Sequence, residues 1–525
     1  MLFNSYEFIF VFLPITLAGY FLIGRTANRR MALAWLLLAS LFFYAWWNPL
    51  NLWLIGTSIC FNYVVARYLI HRSWPSARNF FLALGVTGNL ALLGYFKYAK
   101  FVVDNLRAMT GVEVHLPNIV LPIAISFFTF QQIVFLVEAY RGRAEDYDFL
   151  HYSLLVAFFP HLIAGPIVHY REMLTQFTRP RVARPWVSHF AVGITIFSIG
   201  LFKKVIVADG MAPYANSVFD AAKTGISPTF FEAWIGALAY TFQLYFDFSG
   251  YSDMAIGLAR MIGIRFPLNF DSPYKATNIV DFWRRWHITL SRFLRDYLYI
   301  PLGGNRKGTV RRYSNLFITM LLGGLWHGAG WTFVVWGGLH GSYLIVNHLW
   351  QSLRTRMGKP FDQAMPFGQD LARLVTFVCV VIAWVFFRAD GIAAASTILA
   401  SMFLHNGISL PHRFEPHMTE FLPSFASEYL RFDGMFQNGL IDSYQSITWL
   451  FALLLVVWYM PNTQQLLARY RPALGYRPRK VTAYRRSWIL WRPNYVWSVI
   501  LAALGAMALV KMWIGGNAEF LYFQF

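Results

Sequence analysis

The chain has 525 residues, 57% of them hydrophobic, 19% aromatic and only 13% charged. That composition excludes an ordinary soluble domain and a disordered chain, and predicts an all-α, polytopic integral membrane protein. Lysine and arginine number 45 against 25 aspartates and glutamates, a net charge of +20, but cytoplasmic loops of membrane proteins collect basic residues, so the excess carries no argument for nucleic acid as a partner.

The first apolar run, FIFVFLPITLAGYFLIG at 8–24, has no basic segment before it and no small-residue cleavage site after it. It reads as a retained membrane helix, not a signal peptide. Further runs long enough to cross about 30 Å of hydrocarbon fall at 31–46, 49–70, 79–97, 119–139, 187–208, 226–246, 314–350 (enough for two), 371–387, 447–460 and 494–515. The stretches 146–168, 247–263 and 279–300 are too polar or too broken for simple spans. They read as re-entrant or interfacial helices, which survive at membrane depth where protein or water surrounds them. Cys60 and Cys379 each sit in an apolar run and read as packing residues, with no CxxC metal site.

Basic residues set the orientation. Arg25, Arg29 and Arg30 follow the first helix, Arg72 and Arg78 the third, and Arg141 and Arg143 the fifth, while the turn at 47–49 carries none. The N-terminus is therefore expected outside the cytoplasm. Residues 406–446 hold five acidic residues against two arginines and read as extracytoplasmic; residues 461–493 hold eight basic and no acidic residues and read as a cytoplasmic loop. A last helix and tail, 494–525, then leave the C-terminus outside, and the ending AEFLYFQF is read as native. No internal repeat or linker divides the chain, so 1–525 is expected to be a single membrane domain.

Three polar-rich segments interrupt this apolar background. In LYFDFSGYSDMAIGLARMIGIRFPLNF, 244–270, Asp247 and Asp253 sit at membrane depth, where a charge either faces a cavity or is locked to an arginine. In DFWRRWHITLSRFLRDYLYIPLGGNRK, 281–307, a continuous helix would align Arg284, His287, Ser291 and Arg295 in one polar stripe. That stripe either meets lipid phosphates at the interface or lines a cavity for an anionic ligand, with Asn305 and Arg306 in a backbone-rich anion-binding turn. Asp281 opens the same segment. In LLGGLWHGAGWTFVVWGGLHG, 321–341, glycines flank His327, and His340 reads as structural, on a different face. An imidazole at depth is a functional candidate, able to take a proton from a hydroxyl that attacks a carbonyl. HxxxH, HExxH, GxSxG, Walker A and GxGxxG patterns are all missing, so no metal site is expected.

These segments, with GYFKYAKF (94–101) and FFPHLIAGPI (158–167), resemble the membrane-bound O-acyltransferases, and within them the bacterial polysaccharide O-acetylation branch. The resemblance covers roughly residues 1–400. It implies a ring of tilted helices around a thinned centre, with His327 as the principal active-site histidine and His287 as the second polar position. It implies no bound cofactor, acetyl-CoA as cytoplasmic donor, and Arg284, Ser291, Arg295, Asn305 and Arg306 as donor-binding residues. Asp247, Asp253 and Asp281 would support the site, and His161 would shape a re-entrant loop. The implied partners are membrane lipids, periplasmic acetyltransferase proteins and an exported polysaccharide such as alginate or cellulose, at a bacterial inner membrane. Two rival readings stay open: a transporter or channel that uses the same histidines without chemistry, and an acyltransferase acting on lipid, protein or teichoic acid.

Overall fold

The computed structural model describes residues 1–25, 28–71, 77–144, 148–179, 186–358, 366–418, 429–436, 440–441, 444–476, 490–515 and 521. Most of the 461–493 loop's basic stretch, much of the 406–446 segment and nearly all of the AEFLYFQF ending lie outside them. The described residues are overwhelmingly helical, with a single pair of two-residue parallel strands, Ile408–Ser409 and Leu430–Arg431. Among the described residues, six helices are long and apolar enough to cross a membrane: Glu7–Arg25, Asn51–His71, Arg78–Thr110, Val187–Lys223, Gly368–Arg388 and Tyr495–Gly515. Shorter apolar helices run over Ile125–Tyr140, Ile392–Met402 and Gln445–Tyr459.

Contacts divide the chain into two units. The first comprises Met1–Val205, Ser249–Asn269 and Asn462–Gln524. Its core holds a knot of phenylalanines: Phe3 to Phe8 at 4.9 Å, Phe8 to Phe43 at 5.8 Å, and Phe12 to Phe159 edge-on at 5.3 Å between ring centroids. Polar staples tie its helices. Asn62 and Asn89 exchange side-chain amide bonds at 3.3 and 2.6 Å, and Gln132 donates to Ser58 Oγ at 2.9 Å while accepting from the Tyr152 hydroxyl at 3.2 Å. Such bonds join helices where lipid offers no hydrophobic drive between them. The segment expected to be re-entrant folds as two short buried helices, Phe149–Ala157, capped by Asp148, and Phe159–Leu162, which carries His161.

Glycines set the closest crossing in this unit. A Cβ on Gly193 would stand 2.7 Å from the Gly257 carbonyl oxygen and one on Gly257 2.6 Å from that of Gly193; Gly200 and Gly250 are reciprocal at 2.6 and 2.7 Å. Seven residues, two helical turns, separate the glycines on each helix, so one face of each is bare backbone. Beside this crossing Asp253 accepts from Lys203 Nζ at 2.6 Å, Thr463 Oγ1 at 2.6 Å and Gln464 Nε2 at 3.1 Å.

One sequence expectation is corrected here. The polar stretch 247–263 is not a separate broken element: it continues the apolar run before it as a single 33-residue helix, Phe230–Ile262. A hydropathy window charges each polar residue the cost of meeting lipid, whereas Asp247, Ser249, Ser252 and Asp253 are all buried in protein.

The second unit comprises Ile206–Phe248 and Phe270–Pro461. Its central pair is Gly308–His327 and Trp331–Arg356. These helices approach until a Cβ on Gly324 would lie 2.2 Å from the Phe333 carbonyl oxygen, and one on Gly337 2.4 Å from that of Met320. Any larger residue at either position would force the pair apart, together with whatever side chain its termini present.

Candidate active site

His327 is the last residue of the helix Gly308–His327, and Gly328–Gly330 cross in extended backbone to Trp331. Gly328 is required for close approach: a Cβ there would lie 2.1 Å from the Phe333 ring. The break therefore puts His327 and His340 on different helices, where the sequence reading had them on two faces of one. His327 is buried, and its imidazole contacts Trp326 at 4.9 Å, Trp336 at 5.1 Å and Phe387 at 5.1 Å, all edge-on.

His287 reaches the same aromatic group by a different route. The expected continuous helix from 281 does not form: Ile279–Trp283, capped by Asn278, ends in a turn, and Ile288–Leu294 starts anew with His287 as its N-cap. At the join His287 is left-handed, with φ of +42°, a conformation uncommon outside glycine and most often met where a site requires it. The turn breaks the proposed stripe. Arg284 is exposed while His287 is completely buried, its ring edge-on to Phe248 at 4.7 Å and 6.4 Å from Trp326. Trp326 thus touches both histidines.

His340, which the sequence reading set aside, belongs to the group. It is completely buried and packs against Trp336 at 4.7 Å, Trp283 at 5.1 Å and Phe282 at 6.1 Å. The rings form a relay of contacts, His287 to Trp326 to His327 to Trp336 to His340. Both ring nitrogens of His287 and of His340 are buried without a hydrogen-bond partner among the described residues. A sequence signal for His340 was present: GGLWHG at 323–328 is followed by GGLHG at 337–341.

The other candidate residues divide. Asp281 is engaged by Arg285 Nε at 2.8 Å, and the Arg285 backbone carbonyl accepts from the Asp271 N–H. Asp253 is held by Lys203 in the first unit. Asp247 is buried immediately before Phe248, whose ring covers His287. Ser291 donates to the Trp286 carbonyl at 3.3 Å, and Arg295 pairs with its neighbour Asp296 at 2.7 Å. Asn305 and Arg306 are exposed in a turn made by the left-handed Gly303 and Gly304, which Asn315 anchors by donating to the Gly304 carbonyl at 3.0 Å. No group of three or more metal-ligating side chains occurs among the described residues.

Chemically, this is a buried aromatic cluster that holds three imidazoles. Proton transfer and charge stabilisation act strongly where water is excluded. Residues 84–387, more than half of the chain and all three histidines, match the model of MBOAT, the membrane-bound O-acyltransferase family.

The chain belongs to the membrane-bound O-acyltransferase family. It is a multi-pass membrane O-acyltransferase. Among its relatives, a peptidoglycan O-acetyltransferase of Helicobacter pylori is 44% identical over 486 residues, covering 87% of this chain and 88% of the relative. The Probable alginate O-acetylase AlgI of Pseudomonas aeruginosa is 38% identical over 540 positions that span the whole of both chains. A teichoic acid D-alanyltransferase of Streptococcus thermophilus is 25% identical over 284 residues, 50% of this chain and 68% of that one. Sequence similarity within this membrane-bound O-acyltransferase family thus extends across relatives named for different acceptors.

Proposed function

We propose that this O-acyltransferase takes acetyl from acetyl-CoA at the cytoplasmic face of a bacterial inner membrane and delivers it for O-acetylation of an extracytoplasmic glycan. The observation that carries the reading is the shared contact of buried His327 and His287 with Trp326. His327 acts as general base: its imidazole removes the proton from an acceptor hydroxyl as the oxygen attacks the thioester carbonyl. The C–O bond forms, the C–S bond breaks, and the departing thiolate recovers the proton from the imidazolium. The carbonyl end of the helix that His327 terminates is complementary to the positive charge the ring carries between those steps. His287 donates a hydrogen bond to the carbonyl oxygen as negative charge develops on it. Arg284, Arg295, Asn305 and Arg306 are suited to the donor's phosphates as exposed cationic or amide groups, with Ser291 beside them.

The acceptor hydroxyl belongs either to the glycan or to a periplasmic acetyltransferase protein that passes the group on. Two relatives support different polymers: the alginate O-acetylase an alginate-like polysaccharide, and the peptidoglycan O-acetyltransferase the glycan strands of the wall. The single-domain topology with both termini outside the cytoplasm is part of the same proposal. The test is to supply purified protein with acetyl-labelled coenzyme A, alone and with candidate periplasmic partners and polymers. Label moving to a hydroxyl ester in a His327-dependent manner supports the reading. Passage of acetyl groups across a vesicle membrane without ester formation overturns it in favour of a conduit.

A further inference from the structure

A second polar cluster lies in the first unit. Gln176 exchanges two bonds with the backbone of Arg265: its Oε1 accepts from Arg265 N–H at 2.9 Å and its Nε2 donates to Arg265 C=O at 3.0 Å. The Gln176 carbonyl also accepts from Arg179 N–H at 3.2 Å, which fixes that arginine to the same place. One residue past Arg265, the Phe266 carbonyl accepts from Leu474 N–H at 2.7 Å, and Pro267 bridges Leu474. That tie carries in Arg471, itself left-handed at φ +47°. Arg260, in the last turn of Phe230–Ile262, completes the group. It is only 5% exposed, with Nε and Nη1 buried and unpartnered.

Charge interactions link Arg265 to each of the other three arginines. Partial burial, reinforced by the charges of Arg179 and Arg471, makes Arg265 easier to deprotonate than a free arginine. Arg260 and Arg265 interact in turn, and both act on His189. None of the four arginines has a carboxylate partner among the described residues. Like charges gathered and partly desolvated are unfavourable unless an anion completes them. A lipid-facing arginine would escape by extending its head to water, and the buried Arg260 does not. Guanidinium groups bind phosphate oxygens two at a time, which suits arginines that backbone ties bring together from separate segments.

We propose that Arg179, Arg260, Arg265 and Arg471 form a binding site for a phosphate group, carried either by an anionic phospholipid headgroup or by a soluble phosphorylated molecule. The site is independent of the acyl-transfer chemistry, so its test reads binding. The full-length protein in detergent is titrated at constant ionic strength with dioleoylphosphatidylglycerol against dioleoylphosphatidylcholine, and separately with inorganic pyrophosphate against sulfate, with thermal unfolding as readout.

The expected result is a rise in Tm with phosphatidylglycerol, with pyrophosphate or with both, relative to its control. The double variant Arg265→Ser/Arg471→Ser should need at least tenfold more of that probe, while Arg265→Lys/Arg471→Lys should lose less. A rise with phosphatidylglycerol alone assigns the site to a lipid headgroup; a rise that includes pyrophosphate assigns it to a phosphate able to come from solution. Arg260→Gln tests the buried member, and the partly exposed pair carries the test if that variant does not fold. No rise in the wild type with either probe, or an undiminished rise in the serine variant, overturns the proposal.

Discussion

The imidazole of His327 and the indole of Trp336 meet edge-on, 5.1 Å between centroids with their planes at 84°. Trp336 is fully buried and also carries His340, so packing against this indole contributes to the orientation of His327. His327→Ala should lower acetyl transfer by about 10²–10⁴-fold, the usual worth of a positioned general base. Thermal stability should change little beyond the loss of one ring. Transfer of labelled acetyl by purified protein checks the first expectation, and a melting curve the second.

The left-handed backbone at His287 separates its chemistry from its geometry. His287→Gly accommodates φ of +42° without strain, so it should fold and yet lose most transfer. His287→Asn also tolerates that conformation and keeps a hydrogen-bond donor, and should retain more activity than the glycine variant. Equal activity in the two variants would show that the side chain at 287 acts only through packing.

For His340 the expectation runs the other way. The ring sits among Trp336, Trp283 and Phe282 with two buried, unpartnered nitrogens. His340→Phe keeps the volume and removes those unsatisfied atoms, so Tm should hold or rise. Transfer should stay within about threefold, well short of the 10²–10⁴ range expected for an acid–base residue. A collapse of transfer in a stable His340→Phe protein would give this histidine a chemical role.

Lys203 and Asp253 test the core of the first unit. Replacing Lys203 with Met strands a carboxylate whose side chain is 8% exposed, and breaking a buried pair from one side costs about 3–5 kcal/mol. The double variant Lys203→Met/Asp253→Asn should recover much of that loss. Unfolding of detergent-solubilised protein measures both. A double variant no better than the single one would show that the stranded carboxylate is not what destabilises the protein.

The glycine crossing gives a further stability test. Gly257→Ala places a methyl group 2.6 Å from the Gly193 carbonyl oxygen, a backbone contact that cannot swing aside. Overpacking of this kind costs about 1–3 kcal/mol. Gly56→Ala, where a Cβ would meet nothing within 4 Å, is the control, and the difference between the two melting temperatures is the measurement.

Much of the architecture was legible in hydropathy, because a run of apolar residues has few alternatives to a helix at membrane depth. His327 was legible as an ionisable group in such a run. What hydropathy hides is the partner of each polar residue. It counted Asp253 as an interruption of its helix, although Lys203, Thr463 and Gln464 make it part of the packing. Helical spacing likewise aligned Arg284 with His287, yet no glycine or proline marks the turn that separates them; that turn is held by tertiary bonds, Arg285 to Asp281 and to the backbone of Asp271. His340 was read as structural, and what the sequence did not show is that it shares the neighbour Trp336 with His327.

The turn at His287 also bears on how such a site can diversify. Among non-glycine residues, the left-handed region is most accessible to asparagine, aspartate and histidine. Those are also short polar side chains able to steady a developing charge. The backbone therefore acts as a filter on mutation at this position: the replacements it tolerates most easily are largely those that keep a polar group beside His327's tryptophan. Substrate preference can then drift in the surrounding loops while the second polar group persists, held by conformation before selection on activity is considered.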